Sequence, residues 1–452
     1  MEKTNRGSFS GKLGFVLAAA GSAVGLGNIW RFPYLVAKYG GGIFLLVYLI
    51  LAVTLGFALM TAEIAIGRKT GLSAISAYGA LNRKFSFLGT LTAVIPVMIL
   101  PYYSVIGGWV LKYLAVFVSG SGSAAAQDGY FLGYVAQPYQ PMLWFLLFIG
   151  ITFAVVLFGV EKGIEKCSKI MMPCLVLLSI VVAIFVVCQP GAMEGVAYYL
   201  KPDFSKFTPM TVLAAMGQLF YSMSLAMGIM VTYGSYMKKE VNLDHAVRQI
   251  EIFDTGIAFV SGLMIVPAVY LFSGGDESAM KAGSGLMFIT LPKVFAGMPL
   301  GTVIGAVFFL LVLFAALTSS ISLMETVVSI IRDKTSLSRR KAALLTLGFS
   351  ILLGIPSSLG FGLWSGIRPL GMSILDFFDF VSNSVLMPLV AFLTCIFVVW
   401  FVGLQSIVDE VKLSSRFKQE KMFCVMIRYI APVCIILILV SSVLNSLGVI
   451  KI

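Results

Sequence analysis

The amino-acid sequence predicts an all-α membrane protein of about 11 transmembrane helices, built as a five-plus-five inverted repeat with helices 1 and 6 broken at the midplane. Three observations point there. The composition is too apolar for a water-soluble domain, the basic residues alternate between loops, and two helix-breaking runs lie five spans apart.

Apolar residues fill 59% of the 452 positions and charged residues only 12%. The windows 142–160, 170–188, 302–322 and 423–444 carry almost no charge. Each is long enough to cross a hydrocarbon core of ~30 Å at ~1.5 Å per residue. Lipid satisfies no open backbone group, so only helices or closed barrels can span it. The period-2 alternation of barrel strands is absent, and helices remain. The expected spans are 12–36, 41–67, 88–118, 142–160, 168–188, 209–237, 245–273, 302–332, 341–358, 371–402 and 424–448. They form one transmembrane domain over 1–452, with a first five-helix unit at 12–188, a second at 209–402 and an additional helix at 424–448.

The net charge of +12 invites a nucleic-acid partner, but its distribution argues against one. Lys and Arg gather near 3–12, 68–84, 162–169, 238–248, 332–341 and 412–428, while the intervening loops are rich in Gly, Ser, Asp and Tyr. That is the positive-inside bias, and the partner it implies is a lipid bilayer. It places the N-terminus in the cytoplasm, and an odd span count places the C-terminus outside. The first apolar run is too long for a cleaved signal peptide. Loops are expected at 119–141 and 274–299 on the outer side, the second able to fold back as a lid, and at 68–87 and 402–421 on the cytoplasmic side. The six Cys lie in or beside helices without the spacing of a disulfide framework or a zinc site.

The first span is interrupted over Gly21 to Asn28 (GSAVGLGN) and the sixth over Ser222 to Gly228 (SMSLAMG). Gly disfavours helix by ~1 kcal/mol relative to Ala, and Ser and Asn side chains offer freed backbone groups other partners. Gly21 and Gly25 alone could simply let two helices approach closely. A second break five spans later turns the reading toward an inverted repeat whose binding site lies where the breaks meet.

Ionisable groups inside spans cost ~2.5–3.5 kcal/mol each on insertion scales and need a partner or a purpose. The candidates are Arg31, Glu63, Asp254, Glu325, Asp376 and Asp379. Arg31 and Asp379 fall at similar depth above the first break, where a direct or water-bridged pair could close an outer vestibule. A sodium ion needs several oxygen ligands, and Asn28, Ser222, Thr318 and Ser319 are polar at interior depth.

Four stretches carry a resemblance: Gly21 to Pro33 (GSAVGLGNIWRFP), Gly40 to Gly42 (GGG), Ala315 to Ser320 (AALTSS) and Leu375 to Phe380 (LDFFDF). Together they resemble the neurotransmitter:sodium symporter family, from about Arg6 to the tenth span. The chain is most similar in pattern to bacterial members, the leucine, tyrosine and multi-hydrophobic amino acid transporters. The resemblance implies a protein of the bacterial inner membrane that is not an enzyme. Its function would be sodium-coupled symport of a hydrophobic or aromatic α-amino acid into the cell by alternating access, with a homodimer compatible.

The resemblance further implies two Na+ sites. One takes the Ala23 carbonyl, Asn28, Ser222, Asp254 as the seventh-helix side chain, and the substrate carboxylate. The other takes the carbonyls of Gly21, Val24 and Ala315 with the hydroxyls of Thr318 and Ser319. The implied substrate pocket is Ser22, Ala23, Gly25, Leu26, Gly27, Ile99, Tyr103, Tyr221, Ser222, Ser224, Met227, Ser319 and Leu323. Arg31, Asp379 and Gln218 resemble an outer gate, with Tyr103 and Tyr221 as its lid. Arg6 and Asp333, near Ser235 and Tyr236, resemble an inner gate.

Two positions refine this. Asp254 stands where the family's leucine transporter has Asn, and Ala258 where it has Glu, across a one-residue gap. In chloride-dependent animal relatives this region, with Tyr48, Gln218 and Ser222, holds the anion; Asp254 is expected to supply that charge and make transport chloride-independent. Gly25 occupies the position where amine carriers place Asp, so the substrate must bring its own carboxylate. Competing readings are an amino acid sensor on the same fold, a symporter of another carboxylate-bearing zwitterion, and a hydrolase built on Asp376 and Asp379. No second acidic motif faces those two, which sets the hydrolase aside.

Overall fold

A computed structural model of the chain describes residues 7–274 and 285–446. Arg6, the C-terminal residues expected outside, and residues 275–284 of the expected lid lie outside the described residues. Among those described there is no strand, only one isolated bridge between Gly41 and Pro202.

Nine described helices are long and apolar enough to cross a membrane: Gly42–Thr70, Arg83–Val118, Gln140–Leu157, Val160–Val187, Leu243–Phe272, Gly301–Lys334, Arg339–Leu359, Ile374–Lys412 and Glu420–Leu444. The first span is a bent pair, Lys12–Ala23 and Gly27–Lys38, meeting at 53°, and counting it as one gives ten. The place of the expected sixth span is taken by Pro209–Ser222 and Ile229–Gly234, each too short to cross alone.

Burial sorts the helices into interior and rim. The apolar window of the third span is 78% buried and that of Gly301–Lys334 is 67% buried, and these two pack along each other. The fourth, fifth and last spans are only 33% buried and present residues such as Leu147, Ile184 and Leu437 outward. Helices that are apolar all round and exposed on one side suit a lipid surface. Lys12–Ala23 is buried along its length from Gly14 onward, so the break that follows it lies at the centre.

Connections differ from expectation in carrying helices: the expected loop 68–87 holds Ala74–Leu81, and 119–141 holds Tyr130–Val135. The tenth span continues past a kink at Gly403 (φ 84°) into Leu404–Lys412, whose Leu404, Ile407, Val408 and Val411 are buried. Part of the expected loop 402–421 is therefore an amphipathic helix. The end of the second span anchors it: Arg68 donates through Nε to Glu410 at 2.9 Å, and Lys239 donates to the same carboxylate at 2.7 Å.

The second span meets the half-helix Ile229–Gly234 backbone to backbone. A Cβ on Gly67 would lie 1.9 Å from the Val231 carbonyl oxygen, and one on Gly234 would lie 2.4 Å from that of Ile64. Neither glycine can be replaced without parting two backbones. Gly67→Ala is expected to lower the thermal midpoint in detergent, at a cost of about 1–3 kcal/mol. Gly348→Ala, whose added carbon meets open space, is expected not to lower it. Equal midpoints would contradict this packing.

Candidate functional site

The first break begins where helix Lys12–Ala23 ends and Val24 turns extended (φ −72°, ψ 96°). The carbonyls of a helix's last turn have no helical donor. Here Val24 N–H takes that of Ala20, and side chains from elsewhere reach the next ones. Ser319 Oγ donates toward the carbonyls of Ser22 at 3.1 Å and of Gly21 and Val24 at 3.5 Å each, and Ser224 Oγ donates to the Ser22 carbonyl at 3.0 Å. Thr318 Oγ1 lies 3.1 Å from the Ala315 carbonyl oxygen. Ser319 thus brings the carbonyls of Gly21, Ser22 and Val24 to one hydroxyl, while the Thr318 hydroxyl bonds back to the Phe314 and Ala315 carbonyls of its own helix; such oxygens have the donor chemistry of a hard-cation site.

The second break, 223–228, holds Ser224 (φ 53°) and Ala226 (φ 59°) in the left-handed region beside Gly228 (φ 73°). Its amide at Ala226 donates to Glu63 Oε1 at 2.6 Å. A carboxylate inside the second span, which the sequence marked as needing a partner, finds it in this unwound backbone.

Between the breaks lies a buried polar knot. Asn28 Nδ2 donates to Asp254 Oδ1 at 2.7 Å and to Ser222 Oγ at 3.0 Å, while Asn28 Oδ1 accepts from the Gly25 amide at 3.1 Å. Ser222 Oγ lies 2.8 and 3.0 Å from the two oxygens of Asp254, and Tyr48 OH lies 3.2 Å from Ser222 Oγ and 3.4 Å from Asp254 Oδ2. Among the described residues no Lys or Arg lies within 4 Å of Asp254. The carboxylate is held by neutral donors alone. Asn28, Ser222 and Asp254 meet as the sequence grouped them, and Ala23 ends the helix beside them.

Next to this knot is a small cavity lined by Ser22, Ala23, Gly25, Leu26, Gly27, Asn28, Ile99, Tyr103, Tyr221, Ser224, Met227, Ile229, Ser319 and Leu323. It gathers every expected pocket residue except Ser222, which turns into the Asp254 knot instead. Ile229 was missed: it opens the half-helix directly after Gly228, where the sequence marked the end of the break. Leu26 N–H donates to Tyr103 OH at 3.4 Å. A Cβ on Gly25 would sit 2.7 Å from Ser319 Oγ and 3.2 Å from Tyr103 OH, so any side chain there would take up cavity space.

Above this cavity is a second, larger one of about 320 Å³, bordered by Trp30, Arg31, Tyr34, Ile106, Trp109, Phe361, Asp376 and Asp379 among others. Tyr221 borders both and partitions them. Arg31 stacks over the Tyr221 ring at 5.0 Å and makes no ion pair with Asp379 within 4 Å. Gln218 Nε2 donates to the Gly27 carbonyl at 2.9 Å, pinning it beside the first break. Of the expected gate residues, Arg31, Asp379 and Tyr221 border this chamber, with the Arg31–Asp379 pair apart, while Tyr103 lines the lower cavity and Gln218 borders neither.

At the opposite end, Asp333 accepts from the backbone and hydroxyl of Ser73, at 2.8 and 2.5 Å. Tyr236 OH donates to Glu325 Oε1 at 2.8 Å, and Arg339 pairs with the same carboxylate. Arg339 was missed, because nothing in a helix-start Arg signals a partner on the preceding helix. Phe9 packs edge-on against Phe15, Tyr233 and Tyr236, and its amide donates to the Tyr236 carbonyl at 3.3 Å. This end is plugged by aromatic rings and a buried ion pair, while the vestibule end holds the larger chamber.

The family model of the sodium:neurotransmitter symporter family matches residues 6–121 and 135–449. An uncharacterized sodium-dependent transporter of Bacillus subtilis (strain 168), YhdH, is 36% identical over 451 residues, covering 98% of each chain. The sodium- and chloride-dependent taurine transporter of Rattus norvegicus is 28% identical over 458 residues, covering 90% of this chain and 73% of its own length. The crystal structure of MhsT in complex with L-phenylalanine superposes with a TM-score of 0.88 at 37% identity, covering 97% of this chain and 100% of that one. The matches run through both breaks and nearly the whole chain, and this multi-pass membrane protein therefore belongs to the sodium:neurotransmitter symporter family, as a sodium-dependent transporter and not an enzyme.

Proposed function

We propose that the chain carries a hydrophobic or aromatic α-amino acid into the cell by alternating access, driven by sodium and without a need for chloride. The carrying observation is the cavity between the breaks. It is apolar where Ile99, Met227 and Leu323 line it, and polar where Leu26, Gly27 and Tyr103 meet. The substrate carboxylate lies against the amides of Leu26 and Gly27 and the Tyr103 hydroxyl, at the start of the half-helix, where the helix dipole favours an anion. Carbonyls near Tyr221 and Ser222 and the Ser224 hydroxyl receive the ammonium group. The side chain lies among the apolar residues, where Met227 adapts to different shapes. That MhsT has been crystallised with L-phenylalanine supports this substrate class.

Sodium and substrate complete one another's sites. One ion takes the Ala23 carbonyl, Asn28, Ser222, Asp254 and the substrate carboxylate; the second takes the carbonyls of Gly21, Val24 and Ala315 with Thr318 and Ser319. Gly25 brings no carboxylate to the place the substrate's would occupy, so a monoamine would leave that ligand position of the ion empty. Binding of ion and amino acid is therefore mutually favourable, and reciprocal by linkage. The Asp254 carboxylate supplies the fixed negative charge for which relatives such as the taurine transporter use chloride. The positive-inside bias supports placement in a bacterial plasma membrane with the N-terminus cytoplasmic and the C-terminus outside. A homodimer is compatible with this reading and plays no part in the mechanism.

Three outcomes are expected. Proteoliposomes with an imposed inward sodium gradient should accumulate L-phenylalanine above equilibrium, and should not when an organic cation replaces sodium. A protein that binds L-phenylalanine but never concentrates it would be a sensor. Thr318→Ala should raise the sodium concentration for half-maximal uptake about tenfold, the effect of losing ~1.4 kcal/mol; an unchanged sodium curve removes Thr318 from the ion's shell. Asp254→Ser should slow uptake at least about tenfold in chloride-free buffer and gain a response to added chloride. Normal uptake by that variant without chloride would end the charge-substitution idea.

A further inference from the structure

Asp379 is braced through a single oxygen. Its Oδ1 accepts from Tyr102 OH at 3.1 Å and from Asn383 Nδ2 at 2.6 Å, and Asn383 Nδ2 also donates to Tyr102 OH at 3.0 Å. The backbone makes this possible: after Asp379 the helix widens over Phe380–Leu386, which sets Asn383 four residues on against the carboxylate. Such wide turns are frequent at functional sites, and this chain has others elsewhere, for example at Ala52–Gly56 and Met426–Ile430.

An ionised carboxylate only accepts, so the amide nitrogen of Asn383 must be the atom that faces it. The Asn383 carbonyl oxygen is thereby turned away from Asp379. It is buried and has no hydrogen-bond partner among the described residues. Asp379 Oδ2 also takes no part in these bonds. Arg31, Asp379 and Asn383 border one small cavity of about 50 Å³, alongside Tyr221, Ser384 and Met387. The Arg31 guanidinium is stacked on Tyr221 and makes no ion pair among the described residues, so no described carboxylate engages its donors. A guanidinium is a planar fork matched to two acceptors side by side, and a buried carbonyl left without a donor is costly. Both demands are met by one movement.

We propose that Asn383 is a second acceptor of the outer gate: its nitrogen fixes Asp379, and its Oδ1, with Asp379 Oδ2, receives the two prongs of Arg31 when the gate closes. This rests on the reading of Arg31 and Asp379 as that gate. Asn383 is a positioning residue toward Asp379 and a direct ligand only of Arg31. If it were a brace alone, removing it would resemble removing the Tyr102 hydroxyl.

The test uses the full-length protein in detergent, with association and dissociation of tritiated L-phenylalanine measured in sodium. A gate lesion speeds both directions, so rates separate it from a pocket lesion. Asn383→Ala should speed dissociation about tenfold while the equilibrium constant moves less than about threefold. Tyr102→Phe should speed it less than about threefold, because the two acceptors remain. In an Arg31→Lys background, where an ammonium replaces the fork, Asn383→Ala should add less than about twofold. Asn383→Ser, too short to reach Arg31, should reproduce Asn383→Ala and serves if that variant does not fold. Equal effects of Asn383→Ala and Tyr102→Phe, full additivity with Arg31→Lys, or unchanged rates would each overturn the proposal.

If Arg31→Ala and Asp379→Asn also leave the rates unchanged, the gate reading fails, and this inference with it. If the wild type binds no L-phenylalanine in sodium, the substrate reading fails instead. Labelling of Ile106→Cys by a membrane-impermeant thiol reagent, with Cys188→Ser as parent, then decides. Faster labelling in sodium with Asn383→Ala supports the second acceptor, and equal labelling overturns it.

Discussion

The architecture depends on an exchange of polar groups between two helices that stop at mid-membrane. In hydrocarbon an unpartnered backbone group costs several kcal/mol, so neither break is tenable alone. The first gives its Ser22 carbonyl to Ser224 of the second and to Ser319, and the second gives its Ala226 amide to Glu63. Asn28 and Ser222, one from each interrupted helix, meet on Asp254. Each broken helix is thus a condition for the other, and the result is a polar interior of carbonyls, hydroxyls and one carboxylate within an apolar chain.

Strain is concentrated in the same place. Ser224 and Ala226 hold positive φ without being glycine, at about 1–2 kcal/mol per residue. Such conformations persist only where the surroundings over-determine them. Here the Ser224 hydroxyl is bound to Ser22 and the Ala226 amide to Glu63, so the contacts that satisfy the break also fix its unfavourable torsions. The interior position of the third and eighth spans supplies the rigid wall behind it, through Tyr103, Thr318 and Ser319.

What was legible in the sequence follows a physical division. Spans are written locally as charge-free windows, and breaks as Gly and Ser runs, so both helix interruptions were readable, whereas the cavity lining outside them, Ile99, Tyr103 and Leu323, was named only through the family resemblance. Pairings between helices were not readable. Glu63 with Ala226, Tyr102 with Asp379 and Glu325 with Arg339 depend on which faces meet, and hydropathy is silent on that. Asn383 did carry a local signal, one turn after Asp379 on the same helix. Depth placed Arg31 opposite Asp379, but depth does not choose a rotamer, and the guanidinium lies on Tyr221. The stretch 402–421 read as a polar connection because Glu410 and Lys412 interrupt its apolar residues; burial of Glu410 against Arg68 is what lets its first half coil and dock.

The backbone contact between the second span and Ile229–Gly234 bears on how the protein moves. With Gly67 against Val231 and Gly234 against Ile64, no compressible side-chain layer separates these two segments. Sliding or hinging one past the other would have to break that seam. The short half-helix cannot act as an independent flap, and any tilt that opens the Phe9 end to water must carry the 29-residue second span along as a lever.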